Sequence, residues 1–185
     1  VRDKGMAFIR GPLNPSTNYE IGMLLEGFEH PPVFMMPYNP RYYPALIEGR
    51  GYTKAMDLFA WIYDIEENLR KAPEKLFRVA ERAAARQGIT VRKLDMRHFD
   101  RDIALIKEAY TSAWERNWGF VPMTEHEIEH LAKGLKAVLD PNLIFIAETA
   151  DGKPAGISLT LPDLHQALTW SGGGHMWPFG LLKFL

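Results

Sequence analysis

Cysteine is absent from the 185 residues. Disulfides and thiolate metal sites are therefore excluded, and the composition fits a reducing compartment. An excess of either charge is also missing: 22 Lys and Arg face 23 Asp and Glu, a net charge of -1. A near-neutral surface gives no electrostatic reason to expect a nucleic acid or an anionic membrane as partner. No apolar run reaches the roughly 18 residues that a membrane-spanning helix needs. The opening Val1-Arg2-Asp3-Lys4 has no apolar signal region. These absences fit a cytoplasmic protein.

What is present is a globular balance, 46% hydrophobic and 24% charged, enough for a real core. The chain starts at Val1 and finishes in the apolar stretch 177–185, so it reads as an interior fragment of a longer protein. Residues 6–10, 33–36 and 52–64 read as strands, and 19–25 as a short helix. Asn39-Pro40 reads as the start of a helix through Tyr43, Leu46 and Ile47. Residues 65–88 are charged and Ala-rich, a linker helix ending at Gly88. Arg78, Arg82 and Arg86 recur on it at a spacing that suits a solvated face. Then follow a strand at 89–94, amphipathic helices at 100–114 and 124–139, and strands at 143–148 and 154–161 around an Asp151-Gly152 turn. From Pro162 onward, with Gly172-Gly173-Gly174, the tail reads as an exposed loop.

Three constellations could carry chemistry. His126-Glu127-Ile128-Glu129-His130 has the spacing of a zinc-hydrolase helix, but Thr124 and Glu127 also make a capping box, and no third ligand is evident. We favour the cap and expect no metal. Trp114, Asn117, Trp118 and Phe120 cluster before Pro122, either as a core plug or as the wall of a small-molecule pocket. Trp114 continues its helix's apolar side and is expected to be buried, and Trp118 to sit at a pocket edge. Asn14, Ser16, Asn18 and Glu20 fit turn chemistry, or polar contacts near a cleft. Met35-Met36 reads as core.

The segment LIFIAETADGKPAGISLTLPD is similar to a hairpin of the GNAT superfamily, the acetyl-CoA-dependent N-acyltransferases, with Ala155-Gly156 on its second strand. NPRYYPALIEGRGYTKAMDLFAWIYD resembles the late helix, Gly-aromatic stop and following strand of the same fold. RGPLNPSTNYEIGMLLEGF, PPVFMMPYNPRYYPALIEGRGY and AWERNWGFVPMTEHE resemble a bacterial subgroup with two tandem GNAT-like domains. The resemblance implies an α/β fold of the mixed-sheet α+β kind. Residues 1–64 would be the C-terminal half of one domain, 65–88 the linker, and 89–185 the truncated N-terminal half of a second.

It also implies acetyl transfer from acetyl-CoA to the amine of an unknown small molecule. Asn39, Tyr42 and Tyr43 would lie on the cofactor side, and Asn117, Trp118 and Phe120 in the acceptor pocket. The family's general acid, a Tyr, would fall at Ile47, so no catalytic residue is assigned. The one match to the pyrophosphate loop, Arg2-Asp3-Lys4-Gly5-Met6-Ala7, precedes a strand rather than opening a helix. Gly5 is better read as a helix end. The piece alone is thus expected to be inactive. A GNAT-fold binding or scaffold protein without catalysis is the alternative.

Overall fold

A computed structural model describes residues 2–136 and 138–170. In chain order its elements are β1 (Leu13–Asn14), β2 (Glu20–Ile21), α1 (Tyr43–Glu48), α2 (Ile65–Lys71), α3 (Glu74–Gln87), β3 (Thr90–Lys93), α4 (Phe99–Trp114), α5 (Glu125–Leu135), β4 (Ile144–Glu148), β5 (Pro154–Leu159) and α6 (Leu164–Trp170). The chain is mixed α and β with two small antiparallel sheets, β1-β2 and β3-β4-β5. Among the described residues no helix is long and apolar enough to cross a membrane.

The chain divides into two units. The described part of the first is residues 2–58, 119–121 and 163–170. The second is residues 59–118 and 122–162.

In the second unit β4 alternates as a half-buried strand should: Ile144 and Ile146 are buried while Phe145 faces outward. β4 pairs with β3 (Arg92 opposite Ile146) and with β5 (Ile157 opposite Ile146, Gly156 opposite Ala147). The β4–β5 turn closes by bonds from Thr149 N–H to Lys153 O and from Gly152 N–H to Thr149 O, both 2.9 Å, and Gly152 takes the left-handed φ of 77°. Leu94 and Phe99 complete the buried apolar set, and Ile103 and Ile106 of α4 with Ala132 of α5 pack against it. Thr124 begins α5 with the capping box read from the sequence: Glu127 N–H donates to Thr124 Oγ1 at 3.2 Å, and Thr124 N–H donates to Glu127 Oε2 at 2.7 Å.

Several expected elements take other forms. Residues 65–88 form two helices, because Pro73 cannot continue α2 and instead precedes α3. Segments 6–10 and 52–64 join no ladder among the described residues; they are apolar enough for strands, but a strand exists only opposite a partner. Phe59, Trp61 and Ile62 accordingly stand 78%, 86% and 78% exposed. Residues 33–36 form a tight turn closed by Met36 N–H on Val33 O at 3.0 Å, with Met35 at a left-handed φ of 63°.

The region expected as a helix at 19–25 holds β2, since Gly22 turns left-handed (φ 82°) and its N–H bonds Pro12 O at 3.0 Å. Trp114 is exposed rather than buried; it stacks on Tyr110 at 5.5 Å while Phe99 and Ile103 take the inward face. The tail from Pro162 forms α6 as far as Trp170, and Gly172-Gly173-Gly174 and 177–185 lie outside the described residues.

Candidate functional site

In the first unit the polar cluster of the β1–β2 hairpin meets residues 119–121. The Ser16 hydroxyl accepts from Asn18 N–H at 3.2 Å, which shapes the turn. From that turn Thr17 Oγ1 donates to Gly119 O at 3.1 Å and Asn18 Nδ2 donates to Val121 O at 2.8 Å. Gly119 has φ 73°, and a Cβ there would stand 3.4 Å from Thr17 Cγ2 and 3.5 Å from Arg10 Nη1. Those are ordinary contact distances, so it is the left-handed backbone rather than a lack of space that favours glycine here. The bonds therefore seat residues 119–121, including Phe120, against the hairpin, although more than a hundred positions separate them in sequence.

Glu20, the residue that begins β2, lines a cleft of about 620 Å³. Phe34, Met35 and Met36 line it from the tight turn, and Leu164 and Leu168 from α6. His165 lines it too. Asp163 shapes the start of α6, accepting from His165 N–H at 3.1 Å through Oδ1. The His165 Nδ1 atom is buried and has no hydrogen-bond partner among the described residues; Asp163 Oδ1 lies 3.9 Å from it. The volume and the largely apolar lining with three polar side chains, Glu20, His165 and Tyr38, suit a small-molecule site. Sequence reasoning singled out Glu20 but took Met35-Met36 for core, and it missed His165 by reading a loop after Pro162. An Asp followed by Leu164 and Leu168 at helical spacing was the available signal.

Asn39 is engaged by the chain itself. Its Oδ1 accepts from Leu24 N–H at 2.7 Å and its Nδ2 donates to Pro40 O at 3.0 Å. It does not cap α1: the cap position is Tyr42, and the Asn39 side chain is already committed to Leu24. Tyr42 and Tyr43 meet edge-on at 5.2 Å on the exposed side of α1. Tyr38 Oη donates to Phe28 O at 3.0 Å and the two rings meet edge-on, which braces the end of the Met35 turn. Trp118 and Asn117 belong to the second unit, and the cleft's lining does not include Asn117, Trp118 or Phe120.

The second unit contains the strongest electrostatic cluster. Arg92 on β3 binds Asp102 of α4 in a fork, Nη1 to Oδ2 at 2.6 Å and Nη2 to Oδ1 at 2.7 Å. The same guanidinium reaches Glu148 of β4, Nε to Oε1 at 2.9 Å. Asp95 N–H adds a bond to Asp102 Oδ2 at 2.9 Å, and Arg101 stands 3.3 Å from Oδ1. Asp102 is fully buried. Burial works against its ionisation, but the hydrogen bonds from Arg92 and Asp95, with the charges of Arg92 and Arg101, hold its pKa below the ordinary carboxylate value. The Asp102 hydrogen bond chiefly raises Arg92. Every partner is satisfied, and the cluster ties α4 to two strands; it is a clamp. In sequence its signs were an Arg at an inward strand position and an Asp on the apolar face of α4.

Of the zinc-like string, Glu127 is taken up at the start of α5, where the Thr124 backbone and side-chain bonds lower its pKa. No group of three His, Asp or Glu among the described residues is disposed to hold a metal ion. The Arg2–Lys4 turn is a short 3-10 turn ended by Gly5 at φ 67°. It does not open a helix toward a pyrophosphate.

Compared with known proteins, the chain matches no family model and no solved structure. It is similar to the bacterial ceramide synthase of Caulobacter vibrioides, 38% identical over 188 residues that cover 100% of this chain and 47% of that protein. It is also similar to protein YghO of Escherichia coli, 34% identical over 186 residues covering 100% of this chain and 46% of YghO. The chain spans about half the length of the curated relatives it matches.

Proposed function

We propose that the protein carrying this chain is a GNAT-like N-acyltransferase that moves an acyl group from a coenzyme A thioester to the amine of a small molecule. In such a reaction the amine nitrogen attacks the thioester carbon; the C–N bond forms, the C–S bond breaks, and the thiolate takes a proton. The supporting observation is the meeting, in the first unit, of the Thr17-Asn18 turn with residues 119–121, beside an apolar cleft that carries Glu20 and His165. The order β3, α4, α5, β4, tight turn, β5 agrees with the early half of a GNAT domain. The name of the Caulobacter relative supports the same bond type, because a ceramide is the amide of a fatty acid and a long-chain amino alcohol.

The described residues offer no fitting cradle for the donor's pyrophosphate, so the roles of this chain's own residues concern the acceptor. Glu20 supplies a negative charge, His165 a nitrogen able to give or take a hydrogen bond, and the Thr17 and Asn18 bonds hold the neighbouring loop still.

The test uses the purified full gene product with acetyl-CoA or palmitoyl-CoA as donor and ethanolamine or sphinganine as acceptor. Amine-dependent release of free thiol, with the matching amide seen by mass spectrometry, is the expected result. No thiol release from any donor and acceptor pair, with amine binding intact by calorimetry, would mean a binding protein instead.

A further inference from the structure

We infer that α3 is a membrane-contact helix, which lays its apolar side on a lipid surface rich in anionic headgroups. This goes beyond the acyl-transfer reading and does not depend on it.

The first observation is how much of α3 is uncovered. The helix has 14 residues and none of them is buried. Leu76, Phe77 and Val79 stand 61%, 48% and 54% exposed. A helix of this length is marginal in water by itself, and most helices gain their stability by packing an apolar side. This one has free energy still to gain from a surface.

Its residues are sorted around the axis. At about 3.6 residues per turn, Val79, Ala83, Leu76, Ala80, Ala84 and Phe77 fall in one continuous arc. Lys75, Arg78, Arg82 and Arg86 fall together in a stripe along the Val79 border of that arc. Glu74 and Glu81 lie toward the Phe77 border, so four cations stand against two carboxylates. The near-neutral total of 22 and 23 charged residues hides this local imbalance. α2 differs: its Arg70 and Lys71 are matched by Glu66 and Glu67 one turn back, and its charges cancel in pairs.

The pattern fits a lipid surface better than a protein groove. Lys and Arg stems lie along apolar surface and lift their charges to the headgroup level, while Leu76 and Phe77 sink below it. A protein partner would need carboxylates placed at the pitch of the stripe. A leaflet of acidic lipids presents anions wherever the helix lands. In the same unit, the chain leading into α2 adds Phe59, Trp61, Ile62 and Tyr63, all exposed. Trp and Tyr join an apolar ring to a polar tip, and they concentrate at membrane–water interfaces.

Co-sedimentation of the full gene product with vesicles tests this. One set is phosphatidylcholine alone, and the other is equal parts phosphatidylcholine and phosphatidylglycerol. We expect binding to the mixed vesicles and much less to the neutral ones. Raising the salt from about 0.1 M to about 1 M shortens the screening length from about 10 Å to about 3 Å and should release the protein. Arg82→Ala should weaken the partition about fivefold and Arg78→Ala with Arg82→Ala about twenty-five-fold, whereas Arg82→Lys should keep it. Phe77→Ala should weaken it about tenfold and leave the melting temperature without lipid unchanged. Equal binding to both vesicle types, or none to either, overturns the inference. So does binding that is indifferent to both arginines in a folded protein. A melting temperature clearly lowered by Phe77→Ala without lipid also overturns it, because polypeptide would then already cover that side of α3. Thiol release in the acyl-transfer assay, which uses dispersed substrates, is read separately, so either reading can fail alone.

Discussion

The two units of this chain are held together by different means. All the buried residues of the described chain, Leu94, Phe99, Asp102, Ile144 and Ile146, lie in the second unit. There a sheet face, two helices and a fully satisfied ion cluster close on one another. The described part of the first unit has no buried residue, and its segments are joined by side chains bonded to backbone: Thr17 to Gly119, Asn18 to Val121, Asn39 to Leu24, Tyr38 to Phe28. The difference separates framework from site. Where burial supplies the free energy, little surface is left for a ligand; where hydrogen bonds position turns, an apolar cleft stays open.

Asp102→Ala should have the largest effect. It removes the forked partner of Arg92, which is part-exposed and keeps its bond to Glu148, so the cost is that of lost charge-assisted hydrogen bonds, about 2–3 kcal/mol. Urea unfolding of the full gene product reads this. The pH dependence follows from the lowered folded pKa of Asp102. Its contribution is complete above the ordinary value of 3.8 and is lost as the pH falls through the lower folded value. Wild type should thus lose stability in that acid window, and Asp102→Ala should lack this part of the loss. A cost below about 1 kcal/mol would make the cluster a surface ornament and erase the contrast between the units.

Asn39→Ala should come next, at about 1–2 kcal/mol, since the Leu24 N–H loses its acceptor. The effect should be confined to the first unit. Hydrogen exchange is expected to quicken at Leu24 and in the Met35 turn while Ile144 and Ile146 remain protected. Equal quickening in β4 would show that the units unfold as one.

Met35→Gly should have the smallest effect and the opposite sign. Relief of the left-handed strain is worth about 1 kcal/mol, partly offset by the greater freedom of glycine when unfolded. Thermal melting should be unchanged or slightly raised. A fall in melting temperature would mean that the Met35 side chain is core, as its apolar neighbours in sequence suggest.

How much could be read in advance depended on where each element's partner lies. The β4–β5 hairpin was legible because Asp151-Gly152 sits between two apolar runs that pair with each other. The capping box was legible because both its members lie within one turn. The face of α4 was legible in part: Ile103 and Ile106 do point inward, yet Trp114 at its end does not. Segments 6–10 and 52–64 were misread as strands because an apolar run states a preference for burial and says nothing of whether a ladder partner exists. The candidate cleft was the least legible feature. Glu20 stood out as a polar residue in a turn-rich run, whereas His165 and the methionines acquire meaning only by lining the same space.

By itself, then, the sequence determined part of the local structure: the Thr124 cap, the Asp151-Gly152 turn, the inward Ile103 and Ile106, and the strand at β4. These depend on residues within a few positions of one another, where chain connectivity already supplies proximity. Only the tertiary structure decided that Arg92, Asp102 and Glu148 form one clamp, that Thr17 and Asn18 hold residues 119–121, and that Glu20 shares a cleft with His165. Such pairings depend on which distant segments fold onto each other, and the entropy of closing those loops is balanced by the whole packed unit rather than by any one motif.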